Sequence, residues 1–124
     1  MKKILIIEDE SALQKTLGDV LSQNGYQTKS ALDGETGLKL TQSEKPDLIL
    51  LDLILPKLHG FGVLKRIKEN PETKKIPVVI LTNLESMQDI EKAMELGATN
   101  YLVKANYSLK DLLIKIKEVL GEQV

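Results

Sequence analysis

Residues 48–56 read LILLDLILP, eight apolar positions around a single aspartate, Asp52. An unalternated apolar run is how a strand reads when helices cover both faces of its sheet. An ionised carboxylate is expensive in such a strand unless something pairs with it. Asp52 therefore belongs at an exposed strand end or in a site that supplies a counter-charge. Pro56 and Gly60, which follow, suit a loop, so Asp52 is expected at the carboxyl end of its strand.

Leu48–Asp52 reads as one strand, similar runs recur at Ile4–Ile7 and Val78–Leu81, and less apolar ones at Tyr26–Ala31 and Tyr101–Val103. Amphipathic segments separate them. Leu13, Leu17, Val20 and Leu21 line one helix face, with Ser11 and Gln14 placed for a capping box and Asn24-Gly25 for a stop. Asp33-Gly34 opens a second helix with Leu38 and Leu40, which ends before Pro46. Phe61, Leu64 and Ile67 mark a third, and Met87, Ile90 and Met94 a fourth that Gly97 stops, its methionine stripe read as core. Ser108 and Asp111 open a fifth, which carries Leu109, Leu112, Leu113, Ile116 and Leu120.

Five strand–helix units in one domain imply an α/β fold with a parallel sheet and right-handed crossovers. Ligands of such sheets bind outside the carboxyl ends of the strands. The length of 124 residues suits one domain, expected over 1–124. A formal net charge of -1 offers no electrostatic pull toward nucleic acid or an anionic membrane. The absence of cysteine excludes disulfides and thiolate metal sites. The apolar run after Lys2-Lys3 is shorter than the roughly 7–15 residues of a signal peptide. A cytoplasmic location is the resulting expectation.

Four strand ends carry chemistry. The first run ends in Glu8-Asp9, the third in Asp52, the fourth in Thr82 and the fifth in Lys104. In a parallel sheet these residues share one edge. Any one of them alone has a blander reading as a cap or a solvated residue. Together they set three carboxylates against one lysine, which favours either protonation or a divalent cation. An all-oxygen donor set selects a hard ion, with Mg2+ first. A carboxylate beside such an ion, an ammonium and a hydroxyl is equipped for phosphoryl transfer, with the carboxylate as nucleophile.

The chain resembles a receiver domain of a two-component response regulator. The resemblance rests on ILIIEDE, PDLILLDLILPKLHGFGVLKRIK, IPVVILTN and AMELGATNYLVK, and runs from Lys3 to about Leu120. It implies a flavodoxin-like doubly wound five-stranded sheet of order 2-1-3-4-5 with five helices. It implies that Asp52 accepts a phosphoryl group from a histidine kinase or histidine phosphotransfer protein. Asp9 then resembles the direct Mg2+ ligand, Glu8 the acid acting through water, and Ile54 the residue whose carbonyl completes the metal shell. Thr82 resembles the switch hydroxyl, Lys104 the phosphate-pairing lysine and Tyr101 the aromatic switch. The implied output is a protein effector on the fourth-helix, fifth-strand, fifth-helix face, without direct nucleic-acid or membrane contact. Catalysis would be limited to the domain's own phosphorylation and dephosphorylation.

The chain departs from that pattern in three places. Ala105 stands where proline usually follows the lysine, leaving open a cis Lys-Ala bond at about 2.5–4 kcal/mol or a trans bond with the lysine aimed differently. Tyr107 falls one residue late for the usual aromatic, and Asn83 takes a position where a small residue is common. An aspartyl phosphatase is disfavoured because Ile54 stands where its second aspartate would be. Gly60 is expected to supply a turn with positive φ, His59 to lie on the surface, and Lys65, Arg66 and Lys68 to solvate the third helix.

Overall fold

A computed structural model describes residues 1–123. In chain order the elements are β1 (Lys3–Ile7), α1 (Ser11–Gln23), β2 (Gln27–Ala31), α2 (Gly34–Glu44), β3 (Leu48–Leu51), α3 (Gly60–Glu69), β4 (Val78–Thr82), α4 (Met87–Glu95), β5 (Asn100–Val103) and α5 (Leu109–Val119), with a 3-10 turn over Lys104–Asn106. All strand pairs are parallel and the order is β2-β1-β3-β4-β5. This is the expected flavodoxin-like doubly wound sheet.

Alternation along the three central strands builds two cores. Leu5, Ile7, Ile49, Leu51, Val78 and Ile80 point to one face, where Val63, Leu64 and Ile67 of α3 and Ala93 of α4 meet them. Ile4, Ile6, Leu48, Leu50, Val79 and Leu81 point to the other, against Leu17 and Leu21 of α1 and Leu112 and Ile116 of α5. Covering both faces is why these strands are apolar between their ends, with polar residues only at Lys3 and Thr82, and each fully buried aliphatic side chain contributes about 1.5–3 kcal/mol.

Asp33 caps α2 by accepting from Thr36 N at 2.8 Å, and Ser86 and Ser108 cap α4 and α5 in the same way. The expected box at α1 does not form. Ser11 is already helical, Glu10 takes the cap position, and the Gln14 side chain bonds elsewhere. Gly60 has no positive φ. Its lack of a side chain serves close packing instead: a Cβ there would lie 2.4 Å from Leu53 Cα and 2.5 Å from Asp52 O.

Two further expectations give way. Met87 and Met94 are exposed, because α4 is short and buries only Ala93 fully. Lys68 is not simply solvated; its ammonium donates to Lys74 O and Ile76 O, tying α3 to the loop before β4, and burial lowers its pKa. His59 is exposed as expected, yet it also caps α3, accepting from Phe61 N through Nδ1.

Candidate functional site

Parallel pairing aligns Ile7 of β1 with Leu51 of β3, so the next residue on each strand, Glu8 and Asp52, emerge side by side. Their backbones are anchored to the sheet: Asp52 N donates to Ile7 O and Glu8 N to Ala31 O, each at 3.0 Å. The crevice lies where the strand order reverses between β1 and β3, the place at which doubly wound sheets bind ligands. A cavity of about 300 Å³ opens there, lined by Glu8, Asp9, Glu10, Asp52, Ile54, Asn83 and Lys104.

Lys104 reaches this cavity from the 3-10 turn beyond β5. Its Nζ lies 2.8 Å from Glu8 Oε1 and 2.8 Å from Asp52 Oδ2. The Lys104–Ala105 bond is trans, so the lysine needs no cis bond to bridge the two acids. The second oxygens are engaged as well. Asp52 Oδ1 accepts from Ile54 N at 3.1 Å, and Glu8 Oε2 accepts from Glu10 N at 3.0 Å. Glu8 and Asp52 are 3% and 5% exposed, whereas Asp9 stands in the open.

Burial pushes the Glu8 carboxyl up, and the hydrogen bond from Lys104 only partly offsets this. Burial pulls Lys104 down, but its hydrogen bonds to Asp52 and Glu8 outweigh that and hold it above the ordinary lysine value. The ammonium therefore stays charged between two acids.

Glu8, Asp9 and Asp52 each offer an oxygen within 4.8 Å of the others. Three hard donors against one lysine leave excess negative charge, and that set fits a hard divalent cation.

The structure thus gathers Glu8, Asp9, Asp52, Ile54 and Lys104 around one cavity, while Thr82 and Tyr101 stand outside its lining. Thr82 is fully buried, and its Oγ1 accepts from Leu84 N at 3.5 Å. Tyr101 donates its hydroxyl to Leu84 O at 2.8 Å. The two residues hold the backbone of one residue, Leu84, in the β4–α4 loop, Thr82 at its N–H and Tyr101 at its carbonyl. The part played by Leu84 O was not legible in the sequence, since its partner lies 17 residues away. Glu10 was also missed, its part being played by a backbone N–H that any residue carries.

Residues 4–117 match the family model described as the response regulator receiver domain. The probable transcriptional regulator ycf27 of Porphyridium aerugineum is 40% identical over 119 residues, covering 96% of this chain and 48% of that protein. The chain spans about half the length of the curated relatives it matches first. Among solved structures, the Mn2+-bound form of response regulator Rcp1 is 36% identical with a TM-score of 0.82, covering 96% of this chain and 91% of that one. The receiver domain of sensor histidine kinase PA1611 from Pseudomonas aeruginosa, with magnesium coordinated in its active-site cleft, is 25% identical with a TM-score of 0.87, each chain covered to 98%.

Proposed function

The chain belongs to the response regulator receiver domain family, a family of two-component signalling switches rather than conventional enzymes, and we propose that Asp52 is its phosphoryl acceptor. The observation that carries this reading is the single lysine bridging two buried carboxylates at 2.8 Å each, at the mouth of an acidic cavity. We take the receiver domain to span 1–124, and its phosphoryl donor to be a histidine kinase or histidine phosphotransfer protein.

A carboxylate oxygen of Asp52 attacks phosphorus as the bond from the donor's histidine nitrogen to phosphorus breaks. The new acyl phosphate places charge where Lys104 already stands, and its ammonium turns from Asp52 Oδ2 to a phosphoryl oxygen. Glu8, Asp9, Asp52 and the carbonyl of Ile54 would hold Mg2+, which when bound neutralises charge on the phosphoryl oxygens. The Thr82 hydroxyl gives up its long contact with Leu84 N and turns to the phosphate. Tyr101, still bonded to Leu84 O, moves with that loop.

The altered face is that of α4, β5 and α5, read by a protein effector. The exposed Met87 and Met94 on α4 support this, because methionine adapts to varied partners. Among the described residues no helix is long and apolar enough to cross a membrane, and a cytoplasmic site of action accords with this.

The test is intact-protein mass after incubation with acetyl phosphate and Mg2+, beside Asp52→Ala. The expected result is a gain of one phosphoryl group that requires both the metal and Asp52. A gain that persists in Asp52→Ala, or no gain in the folded wild-type chain, would overturn the assignment.

A further inference from the structure

Asp9 is the most exposed of the three clustered acids, and among the described residues its carboxylate takes no hydrogen bond. Its direction is set only by the backbone on either side. Besides the Glu10 N to Glu8 Oε2 and Glu8 N to Ala31 O bonds, that backbone is held by Gln14, in the first turn of α1. The Gln14 carboxamide donates from Nε2 to Glu8 O at 3.1 Å and to Ala31 O at 2.8 Å. Its backbone N donates to Glu10 O at 2.9 Å. Gln14 therefore grips the turn on both sides of Asp9 and ties it to the end of β2. Ala31 O also receives Glu8 N at 3.0 Å, so the side chain joins a bond that already fixes the acid-bearing turn to the sheet.

We propose that Gln14 is a positioning residue for the metal site: its carboxamide pre-orients Asp9, and through it sets the affinity of the acidic cluster for Mg2+. This rests on the reading of Glu8, Asp9 and Asp52 as metal ligands. The physical ground is ordering. A carboxylate on a loose turn must lose backbone freedom when it binds an ion, whereas one on a clamped turn has already lost it. Outer partners of ligand-bearing groups commonly change metal affinity by about 10–100-fold. The clamp acts on the ligand's backbone rather than its carboxylate, so about tenfold is expected.

Gln14→Met retains length and packing and removes the donor. Gln14→Glu retains size and turns an acceptor toward two carbonyl oxygens. Mg2+ titration, followed by amide chemical shifts of residues 8–10, should show affinity weakened about tenfold in the first variant and more in the second. Phosphorylation by acetyl phosphate should need correspondingly more Mg2+ for half-maximal rate, with the rate at saturating Mg2+ unchanged. In the wild-type chain, the Gln14 carboxamide protons should shift along the same binding curve as the turn.

A purely structural role would lower the melting temperature and leave the Mg2+ half-saturation where it was; that outcome overturns the proposal. So does a wild-type carboxamide that does not respond to Mg2+, a measurement that needs no variant to fold. Failure of the wild-type chain to bind Mg2+ at all would instead overturn the metal-site reading beneath it.

Discussion

Lys104 Nζ sits 2.8 Å from both Glu8 and Asp52, and its side chain is 14% exposed. Removing it leaves two buried carboxylates facing each other without a counter-charge. Breaking a buried ion pair typically costs about 3–5 kcal/mol. Lys104→Met should lie near the low end, about 3 kcal/mol by urea denaturation at neutral pH without metal, because some solvent reaches the ammonium. The deficit should shrink in acid. Burial raises the Glu8 pKa in the folded state, so its contribution favours folding below the usual glutamate value and is lost as pH rises through the raised one. Protonating Glu8 in the variant removes the repulsion. Added Mg2+ should recover part of the loss at neutral pH, by binding the folded state alone. At this scale the acids, Thr82 and Lys104 were legible because each follows an apolar run. Gln14 was not, because a capping box and a tertiary clamp ask for the same residue type near a helix start.

Between residue and domain, the β3–α3 connection decides where Asp52 points. Gly60 N donates to Leu53 O at 2.9 Å, drawing the start of α3 against the strand end. A Cβ at Gly60 would meet Asp52 O at 2.5 Å, a backbone atom with no rotamer to yield. Gly60→Ala should therefore cost about 3 kcal/mol, the upper end for overpacking, and should slow phosphorylation of Asp52 by displacing its carbonyl. Thermal unfolding and the intact-mass assay read the two effects separately. The sequence pointed to a glycine here but for positive φ; the distance to Leu53 and Asp52 exists only once α3 has docked. The methionine stripe of α4 failed as a core signal for a related reason. Spacing of 3 and 4 says which residues share a helix face, not whether another element covers that face.

Across the whole molecule, the two ends of the described chain are fastened to each other. Lys2 Nζ donates to Leu120 O at 3.0 Å, and the Tyr26 hydroxyl donates to the carboxylate of Glu122. Burial and the neighbouring carboxylate push the Tyr26 phenol up to about 12. A raised pKa favours folding below the unfolded value of about 10, and that stability is lost as pH rises through the folded one. The wild-type chain should therefore weaken between about pH 10 and 12, and Tyr26→Phe, with no proton to lose, should not show that part of the decline. Urea denaturation at stepped alkaline pH measures the difference.

The order of elements, the parallel sheet and the set of residues at its carboxyl edge follow from the amino-acid pattern alone. Apolar runs such as Leu48–Leu51 and Val78–Leu81 are long-range only in what they pack against; their own composition declares them strands buried on both sides. Folding alone set how those edge residues are joined: Lys104 to two acids at once, Thr82 and Tyr101 to the N–H and the carbonyl of Leu84, and Gln14 to the turn that carries Asp9. The difference is one of range. Strand and helix identity follow from neighbours a few positions apart, whereas hydrogen bonds and ion pairs act over about 3 Å between residues that folding alone brings together.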